Sequence, residues 1–158
     1  MRLGITGHRG LAGTVEQQVR VLLAEAVAAR AEGDLVGISC LADGPDAWFA
    51  DLILEHGGRL EAVIPAAGYR ESLPAWHHEH YDRLLARASE VHETGLADST
   101  PDAHMAGSEI LVGLADLVLA VWDGQPARGY GGTADVVTYA ERNGLPVKVL
   151  WPDDAVRG

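Results

Sequence analysis

The stretch that decides the fold runs from an apolar segment into a glycine-rich turn: Leu117-Val118-Leu119-Ala120-Val121-Trp122, and then Gly129-Tyr130-Gly131-Gly132-Thr133. The apolar run has the length of a buried strand, and the residues after the turn have a helical pattern. Glycines permit backbone angles closed to other residues, so several N–H groups can face one anion. The start of the following helix adds unpaired N–H groups and the positive end of its dipole. We therefore predict a phosphate-binding turn, and a nucleotide is the first ligand to consider. The predicted contacts in this turn are Gly129, Gly131, Gly132 and Thr133.

Apolar runs of strand length recur along the chain, at residues 3–6, 35–40, 60–64, 117–122 and 147–151, with longer helix-like segments between them. Because these runs are continuous rather than alternating, they are typical of a parallel sheet that is covered on both faces. A chain of 158 residues is long enough for one such domain. The sequence therefore predicts a single α/β domain over residues 1–158, a Rossmann-like, doubly wound, mostly parallel sheet flanked by helices on both faces.

Capping signals mark the predicted helices. Thr14 and Gln17 form a capping box for a helix over residues 15–31, which Gly33 would stop. Asp46 precedes a helix over residues 47–55. Further along, we expect a helix at 81–88, a short strand at 90–92, and a helix at 103–114 that follows a capped loop at 97–102.

Charge and composition restrict the partners and the compartment. The formal net charge is −11 and Lys148 is the single lysine, whereas proteins that bind long nucleic acids depend on clustered Lys and Arg. We do not expect nucleic acid as the partner, but a small anionic ligand fits. Cys40 is the single cysteine and cannot form a disulfide within the chain, which favours a reducing compartment. The sequence has neither a basic-then-apolar leader nor about 18 uninterrupted apolar residues. We therefore predict a cytoplasmic protein with no membrane partner.

Three stretches together resemble the SLOG superfamily, the Rossmann-like nucleotide-binding group that includes the LOG phosphoribohydrolases and DNA-processing protein A. They are Ile5-Thr6-Gly7-His8-Arg9; residues 38–47 followed by Gly57-Gly58-Arg59-Leu60; and Ala115-Asp116 through Gly131-Gly132-Thr133. Each motif follows a strand, and open parallel sheets bind ligands beyond the carboxyl ends of their strands. The resemblance implies that the three turns converge on one ligand.

Several side chains in these turns have two interpretations each. Arg9 either binds phosphate or is a solvated charge, and His8 either contacts the ligand or caps its turn. Asp46 either caps its helix or contacts a sugar hydroxyl, and Thr133 either caps its helix or contacts a phosphate. Asp123 meets a sugar hydroxyl or forms a turn with the next glycine. The predicted ligand contacts outside the glycine-rich turn are Gly7, His8, Arg9, Gly44, Asp46, Asp123 and Arg128.

The LOG resemblance implies hydrolysis of the N-glycosidic bond of a nucleoside 5′-monophosphate, by an arginine and a glutamate. At the corresponding positions this chain has Gly107 and Ser108 for the Arg-Lys pair, and Val136 for the glutamate. Asp135 lies one residue early, which turns its side chain by about 100° on a helix. Glycoside cleavage needs a carboxylate near the anomeric carbon, for which the candidates are Asp135, Glu109 and Asp43, and the catalytic residues stay unassigned.

Three functions follow from these observations. The first is binding of a nucleotide or a nucleotide-derived molecule, as a sensor or as a divergent enzyme. The second is an N-glycosidic hydrolase or transferase that acts on nucleoside 5′-monophosphates, like the LOG phosphoribohydrolases. The third, from the likeness to DNA-processing protein A, is binding of single-stranded DNA.

The histidine-rich segment at residues 77–82 has no metal-binding spacing such as His-Glu-x-x-His. We predict no metal and no cofactor, and we expect this segment to lie over the ligand pocket, anchored by Trp76 and Tyr81. The apolar face of the helix at residues 15–31 either packs on a second copy to form a dimer or is buried in its own sheet.

Overall fold

The computed structural model describes residues 1–127, 129–153 and 155. Strands and helices alternate along the described part of the chain. In order, they are β1 (Arg2–Gly7), α1 (Gly13–Ala28), β2 (Val36–Ser39), α2 (Pro45–Glu55), β3 (Arg59–Ile64), α3 (Tyr69–Ser72), a 3₁₀ turn (Ala75–His77), α4 (His78–Ala86), β4 (Glu90–Glu93), α5 (Pro101–Leu114), β5 (Leu117–Val121), α6 (Thr133–Arg142) and β6 (Val147–Val149).

The strands form one six-stranded sheet in the order β4-β3-β2-β1-β5-β6, and every neighbouring pair is parallel. The chain adds strands outward from β1 to β4, and α5 then returns it to β5 on the other side of β1. The strand order therefore reverses beside β1, which is where open α/β sheets bind their ligands. The predicted Rossmann-like α/β fold is confirmed.

Helices cover both faces of the sheet. On one face, α1, α2 and α4 pack on alternate residues of β1, β3 and β5, with Phe49 and Leu23 among the fully buried side chains. On the other face, α5 and α6 pack on the intervening residues, with Leu111 and Val136 in the core. The sheet needs glycine where α5 crosses it, since a Cβ on Gly4 would lie 2.6 Å from Leu111.

The predicted capping box of the first helix is wrong. Helix α1 begins at Gly13, Ala12 is its N-cap, and no side chain caps it. Gly13 adopts the left-handed φ of +59°, a turn of the backbone that brings the chain into the helix without Thr14. The helix also ends at Ala28, before Gly33.

The predicted N-cap at Asp46 is wrong as well. Helix α2 begins at Pro45 and its N-cap is Gly44, which has a φ of +91°. Proline favours the first helical position because it has no N–H to satisfy there, so Asp46 moves inside the first turn. By contrast, the cap expected in the loop at 97–102 is confirmed, because the Thr100 side chain accepts a hydrogen bond from the Ala103 N–H at 3.1 Å.

The apolar face of α1 lies inside the protein's own core, where Val19, Leu23 and Val27 are buried. Of the two interpretations of this helix, burial in its own sheet therefore accounts for these residues, and a dimer stays a prediction. Among the described residues, no helix has both the length and the apolar character that a membrane span requires.

An ion-pair network closes the amino-terminal edge of the sheet. Arg2 donates from both terminal nitrogens to the two carboxylate oxygens of Glu61, each at 3.0 Å, and from Nε to the Leu114 carbonyl at 2.7 Å. His92 Nε2 lies 2.9 Å from Glu61 Oε1. Glu61, Glu90 and His92 bring ligand-type atoms within 4.8 Å of one another, but the bidentate Arg2 already occupies the Glu61 carboxylate. We therefore interpret the group as a structural network.

Candidate ligand-binding site

The three motif turns meet at one cavity at the carboxyl-terminal edge of the sheet. The cavity has a volume of about 120 Å³, and we call it the three-turn cavity. The first turn contributes Gly7 and Arg9, the second contributes Ala42 and Asp46, and the glycine-rich turn contributes Gly131. Residues at positions 7, 46 and 131 are far apart in sequence, so this convergence follows from the sheet topology.

Two of the predicted glycines are required by close packing at this cavity. A Cβ on Gly7 would lie 2.9 Å from the Cβ of Val121 and 3.0 Å from that of Pro45. Gly131 has a φ of +82°, and a Cβ there would lie 2.8 Å from the Pro101 carbonyl oxygen. Both glycines therefore allow the turns to come closer together than a side chain would permit.

Arg9 is held by a carboxylate of the second turn. Its Nε and Nη2 donate to Asp43 Oδ1 at 3.0 and 2.6 Å. The Asp43 side chain is 9% exposed, whereas that of Arg9 is 45% exposed. Asp43 thus fixes a guanidinium that still reaches solvent at the cavity.

Asp46 is the carboxyl group inside the three-turn cavity. Burial raises its pKa from the ordinary 3.8 to about 7, and the nearby Asp43 charge acts in the same direction, against a backbone hydrogen bond from Ala42 and the charge of Arg9. The Ala42 N–H donates to Asp46 Oδ2 at a long 3.4 Å. Near neutral pH this carboxyl group is therefore present both as a hydrogen-bond acceptor and as a donor.

The glycine-rich turn leads into α6 as predicted, and Gly132 is the N-cap. No side chain caps the helix, so the capping interpretation of Thr133 is wrong; Thr133 is the buried first helical residue. The Gly131 N–H donates to Asp135 Oδ2 at 2.9 Å. An internal carboxylate thus occupies one of the amides that we predict to bind phosphate.

His8 and Asp123 lie against each other between the first turn and the end of β5. His8 is 4% exposed, and its Nε2 lies 3.1 Å from both the Asp123 Oδ1 and the Asp123 backbone nitrogen. Asp123 Oδ1 also accepts from the Gln125 N–H at 3.0 Å, which is the predicted turn. Neither residue is among those that line the three-turn cavity.

The other candidates occupy different positions. Gly44 and Asp43 line a neighbouring cavity, Gly129 is exposed, and Arg128 lies outside the described residues. Glu109 is exposed on α5, so the structure does not bring this catalytic candidate to the three-turn cavity. Val136 is buried in the core. The expected lid does not cover this cavity: Tyr81 is buried in the core, and Trp76 lines the neighbouring cavity.

Among the polar residues of the cavity that were not predicted as ligand contacts, three lie outside the motif stretches: Tyr69, His104 and Ser108. Burial raises the pKa of Tyr69, and burial followed by the Arg9 charge lowers that of His104, so both are neutral near pH 7. His104 Nε2 lies 2.8 Å from Ser99 Oγ. Only Ser108 had a signal in the sequence, because it occupies a position of the LOG Arg-Lys pair, and it does face the cavity.

Comparisons with known proteins identify the fold. No protein-family model matches the chain, and no curated protein matches it significantly. Among solved structures, DNA processing protein A from Streptococcus pneumoniae has 20% sequence identity and a TM-score of 0.65, over 94% of this chain and 49% of that protein. This chain thus spans about half the length of that protein.

Two further structures agree. DNA processing protein A from Helicobacter pylori, a structure that gives insights into a unique single-stranded DNA binding mode, has 18% identity and a TM-score of 0.68, over 94% of this chain and 64% of that one. The molybdenum cofactor binding protein from Rippkaea orientalis has 17% identity and a TM-score of 0.60, over 94% and 74%. The chain therefore has the same Rossmann-like fold as these proteins, in agreement with the fold predicted from its sequence.

Proposed function

We propose that the protein binds a nucleotide, or a phosphorylated molecule derived from one, in the three-turn cavity, either as a sensor or as a divergent enzyme. The observation that carries this proposal is the convergence of the three glycine-containing turns on one cavity, beside the start of α6. Anions are stabilised at such a position by backbone N–H groups and by the helix dipole, and a phosphate that uses the Gly131 N–H displaces Asp135 from it.

The size of the cavity indicates how much of the ligand enters it. Sites that enclose a drug-sized ligand have roughly 300–1,000 Å³, whereas the three-turn cavity has about 120 Å³. It therefore accommodates a phosphate and part of a sugar, while the base lies outside. The cavity is lined by three side chains that exchange hydrogen bonds with hydroxyl groups: Asp46, Tyr69 and Ser108.

Arg9 is the cation for the phosphate. Its bonds to Asp43 use Nε and Nη2, and a guanidinium has five N–H donors in a planar fork. The donors of Nη1 are therefore directed away from this pair and suit a phosphate oxygen.

Calorimetric titration with a panel of nucleoside mono-, di- and triphosphates tests the proposal. We expect saturable binding of at least one nucleotide, and about tenfold weaker binding to Arg9→Met, since a charge-assisted hydrogen bond contributes roughly 1.5 to 3 kcal/mol. Arg59→Met is the matched control, because Arg59 is an exposed arginine at the start of β3. Equal affinity of the two variants would remove Arg9 from the site, and no binding by the whole panel would reject the function.

The hydrolase alternative has its own readout. Chromatography of the nucleoside monophosphate reactions detects free base, and Asp46 is the carboxyl group that the structure places in the cavity. Base release that Asp46→Asn abolishes supports hydrolysis. Saturable binding without release supports the sensor function.

Single-stranded DNA is the third candidate, on the evidence of the fold neighbours alone. The net charge of −11 opposes it. An oligonucleotide that binds more tightly than any mononucleotide, with an affinity that falls steeply with salt, would favour it over our proposal.

A further inference from the structure

A second cavity lies next to the three-turn cavity, and the Arg9–Asp43 pair stands between the two. It has a volume of about 370 Å³ and lies between the first turns of α1 and α2 and the 3₁₀ turn. Two tryptophans and three carboxylates are among its lining residues: Trp48, Trp76, Glu16, Asp43 and Asp51. We call it the tryptophan cavity.

The aromatic side of this cavity presents an exposed indole. Trp76 is 75% exposed, although its ring contacts that of His77 edge-on, with the centroids 5.8 Å apart. An indole left in water at a concave site is a feature of binding surfaces. Trp76 therefore offers a ring face to a ligand in the cavity.

The second tryptophan already binds a cation. The Arg20 guanidinium carbon lies 4.3 Å from the centroid of the Trp48 ring, which is cation–π geometry. Arg20 Nε also donates to Glu16 Oε2 at 3.2 Å. The chain itself thus shows that an organic cation fits between an indole face and a carboxylate at this site.

The charges of the lining also favour a cation. Arg20 pairs with Glu16 and Arg9 pairs with Asp43, whereas the ion-pair partner of Asp51 among the described residues is a histidine. Asp51 lies 3.0 Å from the Nε2 of His80, and its side chain is 42% exposed. An anion would be repelled here, and a neutral base would stack on Trp76 without using the carboxylates.

We propose that the tryptophan cavity binds a small organic cation, an amine or a quaternary ammonium compound, between the indole of Trp76 and the carboxylate of Asp51. Its volume of about 370 Å³ lies in the range of small-molecule sites. Arg20, which is bound to Trp48 and Glu16 in the same cavity, competes with this ligand through its positive charge. The site differs from the three-turn cavity in its charge preference, and its two main contacts, Trp76 and Asp51, do not line that cavity, although Asp43 also pairs with the Arg9 of the nucleotide proposal.

Calorimetric titration with choline and with its uncharged isostere 3,3-dimethylbutan-1-ol, at low salt, tests the charge preference. We expect saturable choline binding that is at least tenfold tighter than binding of the alcohol. Equal binding of the two compounds, or binding of adenosine but not of choline, would overturn the proposal and favour base stacking.

Variants with opposite expected effects locate the site. Trp76→Leu should weaken choline binding at least fivefold. Since the Trp76 indole is exposed, the core stays intact, and circular dichroism on heating checks this.

Arg20→Met should strengthen choline binding severalfold, because the internal cation is removed. Arg83→Met, which removes the same charge from an exposed position on α4, is the matched control, and an equal gain there would reject competition by Arg20. Trp76→Leu should leave nucleotide affinity unchanged, so the two proposals fail separately.

Discussion

Two charged clusters, one at each edge of the sheet, are built from the same residue types. At the amino-terminal edge, the Glu61 carboxylate has Arg2 on both oxygens and His92 beside it. At the carboxyl-terminal edge, Arg9 is shared between two carboxyl groups, because it pairs with Asp43 and only its more distant charge acts on Asp46. Glu61 therefore has a guanidinium bound directly to both of its oxygens, whereas the guanidinium that acts on Asp46 is bound to Asp43 instead.

This difference appears in the pKa values. The hydrogen bond from Arg2 holds the pKa of Glu61 below its ordinary value, whereas burial raises that of Asp46 to about 7. A carboxylate bound to a guanidinium stabilises the fold, whereas a buried carboxyl group without such a partner costs stability but remains available to a ligand. The comparison teaches that Glu61 is neutralised within the chain and Asp46 is not.

Removal of Arg2 should give the largest effect. Arg2→Met leaves the Glu61 carboxylate without its main partner, and the Glu61 side chain is 7% exposed. We expect the free energy of unfolding at pH 7 to fall by about 2 to 3 kcal/mol, at the lower end for a broken buried pair because the Arg2 side chain is 33% exposed. Denaturant titration measures it.

Arg59→Met is the control for this variant. The side chains of Arg59 and its partner Asp34 are 58% and 80% exposed, so this pair should contribute less than about 0.5 kcal/mol to the free energy of unfolding. Because the pKa of Glu61 is lowered in the fold, its stabilisation is complete above the ordinary pKa of 4.5 and is lost as the pH falls below it. The difference between wild type and Arg2→Met should therefore shrink in acid. A loss no larger than that of the control would contradict the comparison.

Asp46→Asn should change stability in the opposite sense. The carboxyl group titrates near 3.8 in the unfolded chain and near 7 in the fold, so its contribution is full below pH 3.8 and is lost as the pH rises to about 7. An amide carries no buried charge, so we expect the variant to be about 1 kcal/mol more stable at pH 8. The full pKa shift would correspond to roughly 4 kcal/mol, and we expect less because solvent reaches this half-buried carboxyl group. Below pH 3.8 the two proteins should be equally stable. Denaturant titrations at pH 3.5 and pH 8 would refute the assignment if the variant were less stable at pH 8.

The smallest effect concerns His104, which senses Arg9 through space. Burial lowers the pKa of this histidine, and the positive charge of Arg9 lowers it further. Arg9→Met should therefore move the pKa upward, as followed by the imidazole proton signals in an NMR titration. Arg2→Met, at the opposite edge of the sheet, should leave this pKa unchanged; equal movement in both variants would show that Arg9 is not the cause.

The sequence predicts the sheet and the position of the site, because both depend on local signals. Continuous apolar runs specify buried parallel strands, and glycines such as Gly7 and Gly131 mark the turns that follow them. Asp46 shows where such signals fail: an acidic residue before an apolar helix indicates an N-cap, but Pro45 and Gly44 start the helix earlier and leave the carboxyl group in the cavity.

The polar residues on α3 and α5 could not be predicted by the same reasoning. Tyr69 and His104 come to the cavity because the chain returns from β4 to β5 through α5, and their rings meet edge-on at 5.7 Å. No spacing in the sequence relates them to the three turns, so only the packing of the folded chain reveals them. The tryptophan cavity is of the same kind, since α1, α2 and the 3₁₀ turn build it together.

The strand order also restricts how copies of this protein can associate. The sheet ends in β4, whose Glu90 and Glu93 are exposed, and in β6, which has three residues including the exposed Lys148. Short, charged border strands discourage backbone pairing between molecules. Continuous sheets across two subunits, and fibrils that grow by strand addition, are therefore disfavoured, which favours assembly through the helix surfaces instead.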